Sequence, residues 1–307
     1  MPAPAAQAAG GPAAPVQGGA GVSAPGGDVN YVTVASGRST LVERVRRDGG
    51  VVERFRTLPG VYGVPGVGYD GSATGLSADG STLVLAGRNG AAPTRLIVLD
   101  ARSLRPRANV VLPGYSTVDA ISPDGRWLYL IRYRSVTDVN HYQVRAYDLV
   151  RHRLLRAPVV DPREPDEKMQ GTAVTRTMSP DGRWAYTLYI RPGDAPFIHA
   201  LDTARRTAAC IDLDGISDED VGSAHLTLGG GTLRVDSAAG PLALVDTRTF
   251  AVRRPSAVAP ARRAPARRVA SSGDDGGGLP WALAFLALVP LAGLAVVARR
   301  WRHASSA

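Results

Sequence analysis

From Tyr31 to Arg254, short runs of alternating apolar and polar residues are separated by clusters of Gly, Asp, Asn and Pro. A period of two marks strands, and turn clusters of this kind mark the hairpins between them. Three stretches align with one another: GLSADGSTLVLAG (75–87), AISPDGRWLYLIR (120–132) and TMSPDGRWAYTLY (177–189). A second set follows each in turn: LIVLDARSLRPRA (96–108), VRAYDLVRHRLLR (144–156) and IHALDTARRTAAC (198–210). A weaker fourth copy runs HLTLGGGTLRVDS (225–237) and LALVDTRTFAVRR (242–254). The aligned residues Asp100, Asp148, Asp202 and Asp246 stand 48, 54 and 44 residues apart. Four short strands at that period are the signature of a propeller blade.

Local chemistry agrees with this reading. Asp-Gly at 79–80, 124–125 and 181–182 offers a tight turn in which Gly takes positive φ and Asp caps the backbone. After the second of these, Trp127, Tyr129 and Ile131 alternate with Leu128 and Leu130. Ahead of the first full copy, YVTVAS, TLVERVRR and GVVERFRTL supply three more strands. The expected fold class is therefore all-β: a β-propeller of about five four-stranded blades over residues 29–256, plus one C-terminal transmembrane α-helix. The first blade is expected to be completed by a strand from the last, with an incomplete or larger ring as the alternative.

Ser122-Pro123-Asp124-Gly125-Arg126-Trp127-Leu128-Tyr129 and Ser179-Pro180-Asp181-Gly182-Arg183-Trp184-Ala185-Tyr186 resemble the repeat of TolB-like (WD-repeat-like) propellers. Ile97-Val98-Leu99-Asp100, running on to Val110-Val111-Leu112-Pro113-Gly114, is similar to the YVTN-type surface propellers and their lactonase relatives. The resemblance covers about three quarters of the chain, and it implies a fold rather than a function.

The ends read differently. Leu279 to Ala298 is a run of 20 uncharged residues, about 30 Å as a helix, which matches a bilayer core. Trp281 and Trp301 stand at its two ends, and Arg299, Arg300 and Arg302 follow it at once. Indole rings favour the membrane interface, and an arginine cluster marks the cytoplasmic side. These five residues are the expected membrane anchor, with 299–307 as a basic cytoplasmic tail and 257–278 as a flexible Pro/Ala/Arg stalk. The propeller is thereby expected outside the cytoplasm of a bacterium; the alternative is a tail-anchored protein with its domain in the cytoplasm. Of the first 28 residues 21 are Ala, Gly or Pro, which reads as a disordered spacer with no apolar signal core. MPAPAAQAAGG resembles the segment just after an Ala-x-Ala cleavage site, so the export signal is expected either to have been removed or to precede a start placed too late.

Charge changes the picture little. The chain carries a formal +9, but from Phe250 onward nine arginines face two acids, so the remainder is close to neutral. This distribution gives no case for a nucleic-acid partner. The expected partners are the lipid bilayer and either an anionic cell-wall polymer or another envelope protein, with the chain itself a monomer.

Candidate chemistry is sparse. An arginine follows the second strand of each of the first four blades: Arg38, Arg88, Arg134 and Arg191. A ring of guanidinium groups on one face would hold an anionic ligand by bidentate contacts. His141, His152, His199 and His225 occupy unrelated places in their repeats, and no pair has metal-ligand spacing. The acidic run Asp212 to Asp220 misses the EF-hand register and reads as a solvated loop. Cys210, the only cysteine, reads as a small packed residue, and Trp127 and Trp184 as blade-to-blade packing. No catalytic residue, cofactor or metal is expected. The function read from sequence is a binding or scaffolding module; the alternative is a lactonase-like enzyme using polar groups at the central channel.

Overall fold

The computed structural model describes residues 13–87, 92–191 and 193–255. The first sheet comprises β1 (Val22–Ser23), β2 (Val29–Ser36), β3 (Ser39–Arg46) and β4 (Val52–Pro59). The second begins with β5 (Tyr62–Gly63), is interrupted by a small hairpin of β6 (Gly66–Val67) and β7 (Ser72–Ala73), and resumes with β8 (Thr82–Gly87), β9 (Thr94–Asp100) and β10 (Pro106–Leu112). The third is β11 (Ser116–Ile121), β12 (Trp127–Tyr133), β13 (Tyr142–Asp148) and β14 (Arg153–Val159). The fourth is β15 (Thr172–Met178), β16 (Trp184–Ile190), β17 (Phe197–Asp202) and β18 (Thr207–Asp212). After a single helical turn, α1 (Asp218–Val221), the fifth is β19 (His225–Gly229), β20 (Thr232–Ser237), β21 (Gly240–Asp246) and β22 (Val252–Arg253). All pairings are antiparallel, so the expected five four-stranded blades are present.

Burial grades across blade 3: all six residues of β11 are buried, whereas most of β14 is exposed. Its first strand therefore lines the interior and its fourth the periphery. The four apolar cores each join two consecutive blades. Leu128 and Leu130 of β12 pack toward blade 2 with Val84 and Val98, while Tyr129 and Ile131 pack toward blade 4 with Tyr189 and Phe197. Tyr31 and Val42 meet Leu85 and Ile97 between blades 1 and 2, and Leu188 and Ile198 meet Leu233 and Val245 between blades 4 and 5.

Among the described residues no core joins blade 5 to blade 1. The outward face of blade 5 is polar and exposed at His225, Thr227 and Arg234, and that of blade 1 is exposed at Val34, Val52 and Phe55. Blade 1 is completed from its own N-terminal side. This corrects the expectation that the last blade lends a strand to the first, because β1 comes from the chain's own N-terminal side and pairs directly with β2. The ordered architecture also starts before residue 29: Val16 exchanges two backbone hydrogen bonds with Val64, at 2.8 and 2.9 Å, inside the stretch expected to be spacer. An extended Ala/Gly/Pro-rich segment is held there because a neighbouring strand edge accepts its backbone.

In blades 2 to 5 the hairpins between third and fourth strands are built alike. Oδ1 of Asp148, Asp202 and Asp246 accepts from two backbone N–H groups in the turn, at 2.8–3.1 Å, and that of Asp100 accepts from Ser103 N at 2.8 Å. The fourth residue on (Leu104, His152, Arg206, Phe250) takes φ between 52° and 60°. Two of these residues cover the tryptophan of the preceding blade: the Arg206 guanidinium lies 4.4 Å over the Trp127 ring, and Phe250 meets Trp184 edge-on at 5.4 Å. Both indoles serve blade-to-blade packing. The capping hydrogen bonds, the backbone N–H of Ser103 first, hold the Asp100 carboxyl down at about 2.

The expected transmembrane segment and tail, 279–307, and the stalk, 257–278, lie outside the described residues. No helix among the described residues is long and apolar enough to cross a membrane.

Candidate ligand-binding face

The turns between second and third strands share one face with the blade-to-blade connections, and the Asp-Gly turns and Asp-capped hairpins lie on the other. Arg38 is exposed in the β2–β3 turn, where its carbonyl accepts from Gly60 N at 2.9 Å. Arg134 follows β12 with its side chain 75 % exposed and 3.7 Å from Asp138, whose Oδ1 also bonds His141 Nδ1 at 2.8 Å. Arg191 follows β16 and is different: only 12 % exposed, it bonds Asp212 at 2.8 Å and sits 3.6 Å from Glu167 and 3.8 Å from Asp194. Its guanidinium also lies 4.6 Å over the Phe197 ring. Arg88 lies outside the described residues, as do Trp281, Arg299, Arg300, Trp301 and Arg302. The three described arginines share a face without converging on one point, and Arg191 is already neutralised by the protein.

Two hollows open on this face. A groove of about 580 Å³ at the head of blade 3 is bordered by Arg132, Tyr133, Arg134, His141, Gln143 and Lys168. Neither Arg132 nor Lys168 has an acidic partner among the described residues, although Asp166 and Glu167 also border the groove. Arg145, one strand over, has its guanidinium pKa lowered by burial and then by the charge of Arg132. The sequence reading missed Arg132 and Lys168 because neither falls in a turn between second and third strands. The second hollow, about 430 Å³, lies between the heads of blades 2 and 3 and is lined by Tyr62, Gly87, Arg95 and Tyr115 among others.

The interior is filled. The β6–β7 hairpin of blade 2 reaches the first strands of blades 3 and 4: Tyr69 N donates to Val174 O at 2.8 Å and Thr74 Oγ1 to Asp119 O at 3.0 Å. Beside it Arg176 of β15 faces Asp119 of β11 at 3.2 Å, both side chains 2 % exposed, and Arg176 Nη1 also donates to the Asp119 carbonyl. Two ionisable groups from different blades thus meet, as an axial catalytic site would need, but they are sealed from solvent. His199 is also buried, and that burial lowers its pKa.

Cys210 donates its thiol to Glu167 at 3.2 Å, and burial pushes its pKa up, so it is a weak nucleophile. In the acidic run Ser217 caps α1, its Oγ accepting from Asp220 N at 3.2 Å. That segment is a capped helical turn where a loop was expected.

No family model matches the chain, and no curated protein matches it in sequence. Solved structures give partial likenesses. BamB from Moraxella catarrhalis shares 22 % identity over 75 % of this chain and 61 % of its own, at a TM-score of 0.41. TolB from Acinetobacter baumannii shares 13 % over 76 % and 53 %, at 0.41. An oligogalacturonate lyase in complex with manganese shares 14 % over 76 % and 63 %, at 0.45. The chain spans less than two thirds of each of these three proteins. The propeller architecture rests on the five sheets themselves.

Proposed function

We propose that the protein is a membrane-anchored, extracytoplasmic β-propeller that binds an anionic cell-wall polymer across the face bearing Arg38, Arg132, Arg134 and Lys168. The observation that carries the reading is the open groove bordered by Arg132 and Lys168, cations with no acidic partner among the described residues, while the ionisable pair at the interior is sealed. Uncompensated cations beside an open groove favour a polyanion, and arginine adds bidentate geometry to charge. Anchorage is supported by the apolar run Leu279–Ala298 with its flanking Trp281, Trp301, Arg299, Arg300 and Arg302. A propeller enzyme is the second reading; the Asp119–Arg176 meeting favours it, but catalysis there would require the β6–β7 hairpin to withdraw.

The test is co-sedimentation of the full-length protein in detergent with poly(glycerol phosphate) at rising salt. Saturable binding that weakens with salt and falls about tenfold in the double variant Arg132→Gln/Lys168→Gln supports the reading. Binding that is absent, or indifferent to both changes, refutes it.

A further inference from the structure

The second hollow has a construction of its own. Tyr62 of β5 pairs with Gly87 of β8, and Arg95 of β9 lies beside Gly87 on the same face, since a Cβ added at Gly87 would meet Arg95 Cβ at 3.3 Å. One row across the head of blade 2 thus reads tyrosine, glycine, arginine. The missing side chain in the middle leaves the space. Three prolines, Pro15, Pro65 and Pro93, and Tyr115 of the next blade complete an apolar wall. The Tyr62 ring is held in place because Gly60, at φ +96°, leaves room for it; a Cβ there would come within 2.9 Å of the ring.

Besides the tyrosines, the polar side chains of the lining are Thr94, Arg95, Ser116 and Thr117. Thr94 Oγ1 is committed to Gly114 O at 3.0 Å and Ser116 N at 2.8 Å. Arg95 is exposed and has no acidic partner among the described residues. A hollow of about 430 Å³ lies in the size range of small-molecule sites, and such sites pair apolar walls with a few orienting polar groups. Rigid tyrosine and proline walls lose little entropy when covered, and a guanidinium at the rim selects an anion.

We infer that this hollow binds a small ligand with a flat apolar body and one anionic group, an aromatic carboxylate or sulfonate, with Arg95 on the anion and Tyr62 and Tyr115 against the ring. The site is separate from the blade 3 groove and does not depend on the polymer reading. The probe is naphthalene-2-sulfonate, titrated calorimetrically into the full-length protein against a matched detergent blank. The expected result is saturable one-to-one binding, weakened about tenfold in Arg95→Gln and lost in Gly87→Val, whose side chain occupies the gap. Near-ultraviolet circular dichroism checks that both variants keep the native packing. If the native protein shows no saturable binding, or if both folded variants bind as it does, the site does not exist.

Discussion

Thr175 Oγ1 donates to the carboxylate of Asp70 at 2.6 Å, across 105 residues of sequence. Asp70 sits on the hairpin inserted into blade 2, and Thr175 is on the first strand of blade 4, so this bond pins the interior plug to a blade that does not adjoin its own. A hydrogen bond to a charged acceptor contributes about 1.5–3 kcal/mol. Asp70→Ala and Thr175→Val should each lower stability by about 1–2 kcal/mol, and the double variant should lose clearly less than the sum, as read from urea unfolding.

Removing one member of the buried Arg176–Asp119 pair leaves the other charge uncompensated. Arg176→Met should cost about 3–5 kcal/mol, and adding Asp119→Leu should recover much of that loss, because two apolar side chains need no partner. Thermal unfolding of the two variants checks the order; a double variant less stable than Arg176→Met would contradict it.

Burial holds the His199 pKa below its ordinary value of 6.5. The unfolded chain takes up a proton near that pH which the folded chain refuses. Stability should therefore be fully present above about pH 6.5 and fall as the pH drops below it. His199→Gln should flatten that part of the pH–stability curve between pH 7 and 5.

His152 adopts φ 52° in an exposed turn, a conformation that costs a side-chain-bearing residue about 1 kcal/mol. His152→Gly should stabilise the protein by about 0.5–1 kcal/mol, whereas Phe250→Gly should destabilise it, because Phe250 also covers Trp184. Denaturant midpoints of opposite sign are the expected reading.

Arg191 and Arg134 occupy equivalent turns but differ in attachment. Arg191→Gln strips Glu167 and Asp212 of their cation and should lower stability by about 1–2 kcal/mol. Arg134→Gln should change stability by less than about 0.5 kcal/mol, since its single ion pair is solvated. Equal losses would show that the two arginines share one role.

The blades were legible because Asp-Gly turns and strand-length apolar runs depend on local backbone needs, repeated in each copy. The strand that completes blade 1 was not, because Val22–Ser23 is only two residues long within an Ala/Gly/Pro-rich stretch. The inserted hairpin was also invisible, since Gly66–Ala73 has strands of only two residues. At the candidate face, the turn arginines could be located by position, but which of them the protein consumes internally depends on acids such as Glu167 and Asp212 from other strands. Arg95 and Gly87 became a pair only once β8 and β9 lay side by side.

We propose that the face carrying the second-to-third-strand turns receives the ligand. Hydrogen–deuterium exchange of the full-length protein with and without poly(glycerol phosphate) tests it most directly. The expected result is slowed exchange in 132–143 and 160–169, around the blade 3 groove, with the Asp-Gly turns at 79–80, 124–125 and 181–182 unchanged. Protection confined to those turns, or no protection anywhere, would contradict it.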